Sequence, residues 1–76
     1  MSIEKDFLNA KREFGSKVKT LRTNKCLSQL DLAALCNYEK STISRIENGR
    51  TNITLKTAIN LSNSLDVELK DLFDFK

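Results

Sequence analysis

Residues 28–50 read SQLDLAALCNYEKSTISRIENGR, and their reading decides the fold. Ser28 followed three residues later by Asp31 is a shortened capping box, a helix-start signal. It predicts a helix over 29–36. Asn37 tolerates the left-handed backbone a chain needs to leave a helix and turn sharply. The turn is Asn37–Tyr38–Glu39, and the next helix spans 40–47 until Asn48 and Gly49 stop it. Three residues are too few to fold the second helix back antiparallel to the first. The two must cross steeply, the geometry of a helix-turn-helix motif.

Outward from this junction the pattern stays helical. Ile3, Phe7, Ala10, Phe14, Val18 and Leu21 form one apolar stripe over 3–24, with lysines and arginines opposite and Gly15 as a local weakness. Thr54 caps a helix over 55–64, whose inward face reads as Leu55, Ile59 with Ala58, and Leu61. A short fifth helix over 68–74 brings in Leu69, Leu72 and Phe73. The chain holds two glycines, no proline, four Phe and one Tyr, which suits short helices better than sheets. The expected fold is all-α, a compact five-helix bundle: residues 1–12 extend the first helix and residues 13–76 form the domain proper.

Size and composition exclude much. At 76 residues the chain is near the lower limit for folding without staples and has no room for the deep cleft of an enzyme. It has no histidine, and its carboxylates show no paired arrangement, so neither a metal centre nor acid–base catalysis is expected. Cys26 and Cys36 flank the second helix, roughly 12–15 Å apart at the rise of an α-helix, too far for a disulfide. They read as free thiols in a reducing compartment. No run of apolar residues is long enough to span a membrane. The net charge of +3 is uneven: residues 1–25 carry seven basic and three acidic groups, residues 51–76 three and four. A basic front suits a polyanionic partner, although lysine-rich helices are also ordinary solvated faces.

The helix over 40–47 carries the functional reading. Ile43 and Ile46 point one way. Ser41, Ser44, Arg45 and Asn48 fall on the other side, with Lys40 beside Ser44. Short polar stems allow a helix axis to approach base edges in a major groove about 12 Å wide. Arg45 can donate twice to a guanine, Lys40 can reach guanine or phosphate, and serines can serve several bases. Lys40, Ser41, Ser44 and Arg45 are therefore the candidate base-reading residues. Ser28 and Gln29, at the start of the second helix, form an anion-binding end suited to a backbone phosphate. Thr42, Asn48, Arg50, Thr51 and Asn52 are the other backbone candidates. Caps and loops need such residues anyway, so the residues alone leave both readings open.

From Phe14 to Phe73 the sequence resembles the Cro/CI-type (lambda-repressor-like, XRE) helix-turn-helix family. The matching pieces include Leu27-Ser28-Gln29 with Leu32-Ala33, and Ile43-Ser44-Arg45-Ile46-Glu47-Asn48-Gly49. The resemblance implies a five-helix DNA-binding domain that acts as a homodimer on a near-palindromic operator in double-stranded DNA and controls transcription. It also implies an inner salt bridge between Arg22 and Glu47. The chain departs from the family pattern at Cys26 and Asn37, where glycine is usual, and at Ile53, where proline is common. Cys26 is expected to have a negative or strained φ. Glu39, an unusual cap, is expected to turn away from DNA.

Leu69, Leu72, Phe73 and Phe75 are the dimer candidates, since Phe73 and Phe75 cannot both face one monomer's core. A satellite cluster with Ile3 and Phe7 is the competing assignment. Leu35 is expected to pack under the first helix or against Tyr38, while Leu30 and Ala34 leave a small apolar strip. No cofactor or small-molecule ligand is expected, and the location is cytoplasmic, with the nucleoid. A restriction-modification controller and an antitoxin-like autorepressor are alternatives within DNA binding. A protein-interaction module is the alternative of another class.

Overall fold

The computed structural model describes residues 2–75. Met1 and Lys76, the outer ends of the segments 1–12 and 13–76, lie outside the described residues. The described residues form four α-helices: α1 (Ile3–Asn24), α2 (Gln29–Cys36), α3 (Lys40–Glu47) and α4 (Leu55–Leu65). The expected fifth helix over 68–74 is instead a 3₁₀ segment, Leu69–Phe73. Five residues suit this tighter form, which is used in short pieces. Among the described residues there is no strand, and no helix is long and apolar enough to cross a membrane.

Local chemistry explains where the helices start. Ser28 accepts from the Asp31 N–H at 3.0 Å while the Asp31 carboxylate accepts from the Ser28 N–H at 2.9 Å, a complete capping box. Thr54 accepts from the Thr57 N–H at 3.1 Å and opens α4. Ser2 caps α1 at 3.4 Å through the Lys5 N–H.

The helices end alike. A left-handed residue follows each one: Cys26 (φ 59°), Asn37 (φ 60°), Gly49 (φ 68°) and Asp66 (φ 56°). In each case the next N–H reaches back five residues: Leu27 to Arg22, Tyr38 to Ala33, Arg50 to Arg45 and Val67 to Ser62. These bonds satisfy helix carbonyls that would otherwise lack partners. Gly49 alone takes this conformation without steric cost. Cys26 has the strained, positive φ, because the turn into α2 demands a left-handed residue whatever side chain it carries.

The core gathers Phe14 and Val18 of α1, Leu32, Ala33 and Cys36 of α2, Ile43 and Ile46 of α3, Ala58, Leu61 and Leu65 of α4, and Leu72. α1 packs on α3 and the 3₁₀ segment, and α2 packs on α3 and α4. Asn60 donates its amide to the Cys36 carbonyl at 3.0 Å, tying α4 to the end of α2. Cys36 is buried and Cys26 exposed, both as free thiols. Burial raises the Cys36 thiol above its ordinary pKa, against a smaller opposing effect of the Ser64 hydroxyl.

Several expected contacts differ. The inward face of α4 is Ala58, Leu61, Ser62 and Leu65, whereas Leu55 is 65% and Ile59 43% exposed. Ser62 tolerates burial because its hydroxyl donates to the Ile59 carbonyl at 2.8 Å. Along α1 the apolar stripe is real, but Ile3, Phe7 and Ala10 are exposed. A 22-residue helix, about 33 Å long, outreaches the elements that could cover it. Leu35 is exposed and does not pack under α1.

Leu72 is fully buried in its own monomer, so it is no dimer contact; the 3₁₀ segment docks it beneath α1 and α4. Leu69 packs partly against the same core. The Phe73 ring lies 5.2 Å from that of Phe14 and 6.4 Å from that of Phe75. Phe7, Phe14, Ile53, Phe73 and Phe75 line one shallow apolar groove.

Candidate nucleic-acid interface

α3 is an eight-residue helix with two distinct sides. Ile43 and Ile46, 0% and 2% exposed, anchor it in the core. Lys40, Ser41 and Arg45 are exposed on the other side, and Ser44 is half-buried between them. Thr42 is half-buried on the flank. The four base-reading candidates thus share one open face.

Asn48, just past α3, donates its side-chain amide to the Ser44 carbonyl at 2.8 Å and to the Ser44 hydroxyl at 3.4 Å. This fixes the amide beside the reading face. Arg50 and Asn52 are exposed and Thr51 is half-buried in the loop that follows. Glu39 starts α3 without a side-chain capping bond and is exposed. Ser28 is exposed at the start of α2, where its N–H and then its hydroxyl hold the Asp31 carboxyl below the usual carboxylate range.

Beneath this face lies a buried ion pair. Arg22 Nε donates to Glu47 Oε2 at 2.6 Å and Nη2 to Oε1 at 3.0 Å, a bidentate arrangement. The two side chains are 9% and 2% exposed. The remaining Arg22 donor, Nη1, reaches the Leu27 carbonyl at 2.7 Å. The hydrogen bond to Glu47, more than the charge attraction, holds the Arg22 guanidinium above its ordinary pKa, and burial opposes it. Gln29 joins the cluster: its Nε2 donates to Glu47 Oε1 at 3.1 Å. One carboxylate thereby ties together α1, α2 and α3.

Two features of the interface carry weak sequence signals. Gln29 reads as a phosphate contact from its place at a helix start, yet the structure engages its amide with Glu47. Gly15 reads as a weak point of α1, but a β-carbon there would overlap the carbonyls of Ile46 and Glu47. It is the spot where α1 and α3 meet backbone to backbone. A glycine inside an otherwise strong helical stripe is the signal that points to such a close approach.

A model of the helix-turn-helix family HTH_3 matches residues 18–72. The chain belongs to that family. Its members are DNA-binding transcription regulators, a class distinct from enzymes. The chain is 40% identical over 68 residues to the control protein C.BamHI of Bacillus amyloliquefaciens, covering 88% of this chain and 84% of that one. It is 39% identical over 64 residues to the control protein C.MunI of a Mycoplasma species, covering 83% and 86%. The crystal structure of the restriction-modification controller protein C.AhdI from Aeromonas hydrophila matches with a TM-score of 0.79 at 37% identity, over 82% of this chain and 94% of that one. In this frame α2 and α3 are the two helices of the motif, and α3 is the recognition helix.

Proposed function

We propose that this chain is a restriction-modification controller: a regulator that binds a near-palindromic operator as a homodimer, with α3 of each copy in the major groove. The observation that carries the reading is the open side of α3, with Lys40, Ser41 and Arg45 exposed while both isoleucines are sunk in the core. The names of the relatives given above favour a controller over an antitoxin-like autorepressor. Arg45 and Lys40 reach base edges, Ser41 and Ser44 refine the choice, and Ser28, Thr42, Asn48, Arg50, Thr51 and Asn52 hold phosphates. Such contacts make affinity depend steeply on salt.

Pairing uses the exposed apolar residues directly after the phosphate loop, Leu55 and Ile59, which are one helical turn apart. The aromatic surface of Phe73 and Phe75 is a second, smaller candidate. The interface must set the two recognition helices about 34 Å apart, one turn of DNA. The test is selection of bound sequences from random duplexes. A symmetric site with half-sites one turn apart, or a small multiple of it, is expected; recovery of no preferred sequence sinks the reading.

A further inference from the structure

We infer that Gln29 is a positioning residue that fixes the recognition helix through Glu47, and so sets discrimination between DNA sequences more than grip on the backbone. The inference rests on the operator reading proposed above and adds a residue that acts behind the reading face.

Gln29 is the first residue of α2 and Glu47 the last of α3. Their 3.1 Å hydrogen bond therefore spans the whole motif, from the start of one helix to the end of the other. Its acceptor is well held, since Arg22 donates to both oxygens of the Glu47 carboxylate from α1. Glu47 is almost wholly buried, and Gln29 is half-buried with its amide nitrogen on that carboxylate.

The mechanical consequence follows from the size of α3. Side-chain tips on a helix stand about 5–6 Å from its axis, so rotation by about 10° moves them by about 1 Å. That displacement spoils a bidentate contact between Arg45 and a base, whose donor–acceptor distances tolerate only a few tenths of an ångström. Ile43 and Ile46 hold α3 by apolar packing, which is non-directional. At its end α3 is referenced to α1 by the close backbone contact at Gly15 and by Arg22 on the Glu47 carboxylate, and Gln29 is the donor that references that carboxylate to α2. A contact with phosphate tolerates such a rotation far better, because it requires charge and a rough distance alone.

The test uses the full chain, its Gln29→Ala variant, the duplex recovered by selection and a random duplex of equal length, titrated over a salt series. Gln29→Ala is expected to lose roughly tenfold on the selected duplex and less than about twofold on the random one, with an unchanged salt slope. Equal losses on both duplexes with a slope lowered by about one would reassign Gln29 to a phosphate and overturn the inference. A second measurement needs no DNA. In ¹⁵N-labelled protein, Gln29→Ala is expected to move the backbone resonances of Ser44 to Asn48; shifts confined to residues 28–31 overturn it. If the unaltered chain prefers no sequence, the operator reading fails and takes the discrimination role with it, while the resonances still report whether Gln29 positions α3.

Discussion

Gly15 of α1 packs against the backbone of Ile46 in α3 so closely that no β-carbon fits between them. The contact lies two turns along α1 from Arg22, reaches the carbonyl of Glu47 itself, and sets the distance between the long first helix and the recognition helix. Two effects compete in Gly15→Ala. Helix propensity favours alanine by about 1 kcal/mol, since glycine is a poor helix former. Overlap with two rigid carbonyls costs about 1–3 kcal/mol or more, because a backbone cannot swing aside as a side chain does. Overlap wins. Urea unfolding of Gly15→Ala is expected to show a net loss of stability; a gain near the propensity value would mean that α1 and α3 separate without cost.

The left-handed residue after α1 leads to a prediction of opposite sign. Cys26 adopts φ 59° and is exposed. A non-glycine residue in this conformation costs about 1–2 kcal/mol, while glycine gives up part of that gain through its freer unfolded state. Cys26→Gly is expected to stabilise the fold by about 0.5–1 kcal/mol in urea unfolding. Unchanged or reduced stability would show that the thiol makes a compensating contact.

These two positions also mark what the sequence could reveal. Cap chemistry is local, so Ser28 with Asp31, Thr54 and Asn37 were legible from neighbours within a few residues. The two-sided character of α3 was legible because helical periodicity separates Ile43 and Ile46 from Ser41 and Arg45. The partner of Gly15 was not: a glycine within the stripe signals a close approach, but Ile46 lies thirty-one residues away and no pattern within α1 names it. The face of α4 was misread for a related reason. Leu55 and Ile59 are larger than Ala58 and Ser62, but the stripe that meets the core runs through Ala58, Leu61, Ser62 and Leu65 and leaves them on its flank. Gln29 shows the limit for sites: its place at a helix start points to phosphate, while its actual acceptor lies at the end of another helix.

Arg45 is the exposed cation at the centre of the open face of α3. Arg45→Ala is expected to weaken binding to the selected operator by about 1–3 kcal/mol and to relax the preference at one base position in each half-site. Competition titrations against operators altered at single positions give the answer. Equal weakening on random DNA would make Arg45 a phosphate ligand and leave the base reading to Lys40 and the serines.

The proposed dimer surface is open to a direct test at Ile59. It is 43% exposed on α4, one turn from Leu55 at 65%, on the flank of the buried face formed by Ala58, Leu61, Ser62 and Leu65. Asp at this position leaves the monomer core untouched, so the thermal midpoint measured in dilute solution changes little. In a paired surface the same carboxylate is buried against its own symmetry mate, and the two charges repel. Ile59→Asp is therefore expected to convert the protein to a monomer in sedimentation equilibrium. Its operator affinity is expected to fall by about a hundredfold, the loss of a second linked half-site, while contacts within each half-site are unchanged. A dimer that persists in Ile59→Asp but dissociates in Phe73→Asp moves the interface to the aromatic surface beside α1. The latter variant needs its own melting curve, because Phe73 stacks on Phe14 of its own core.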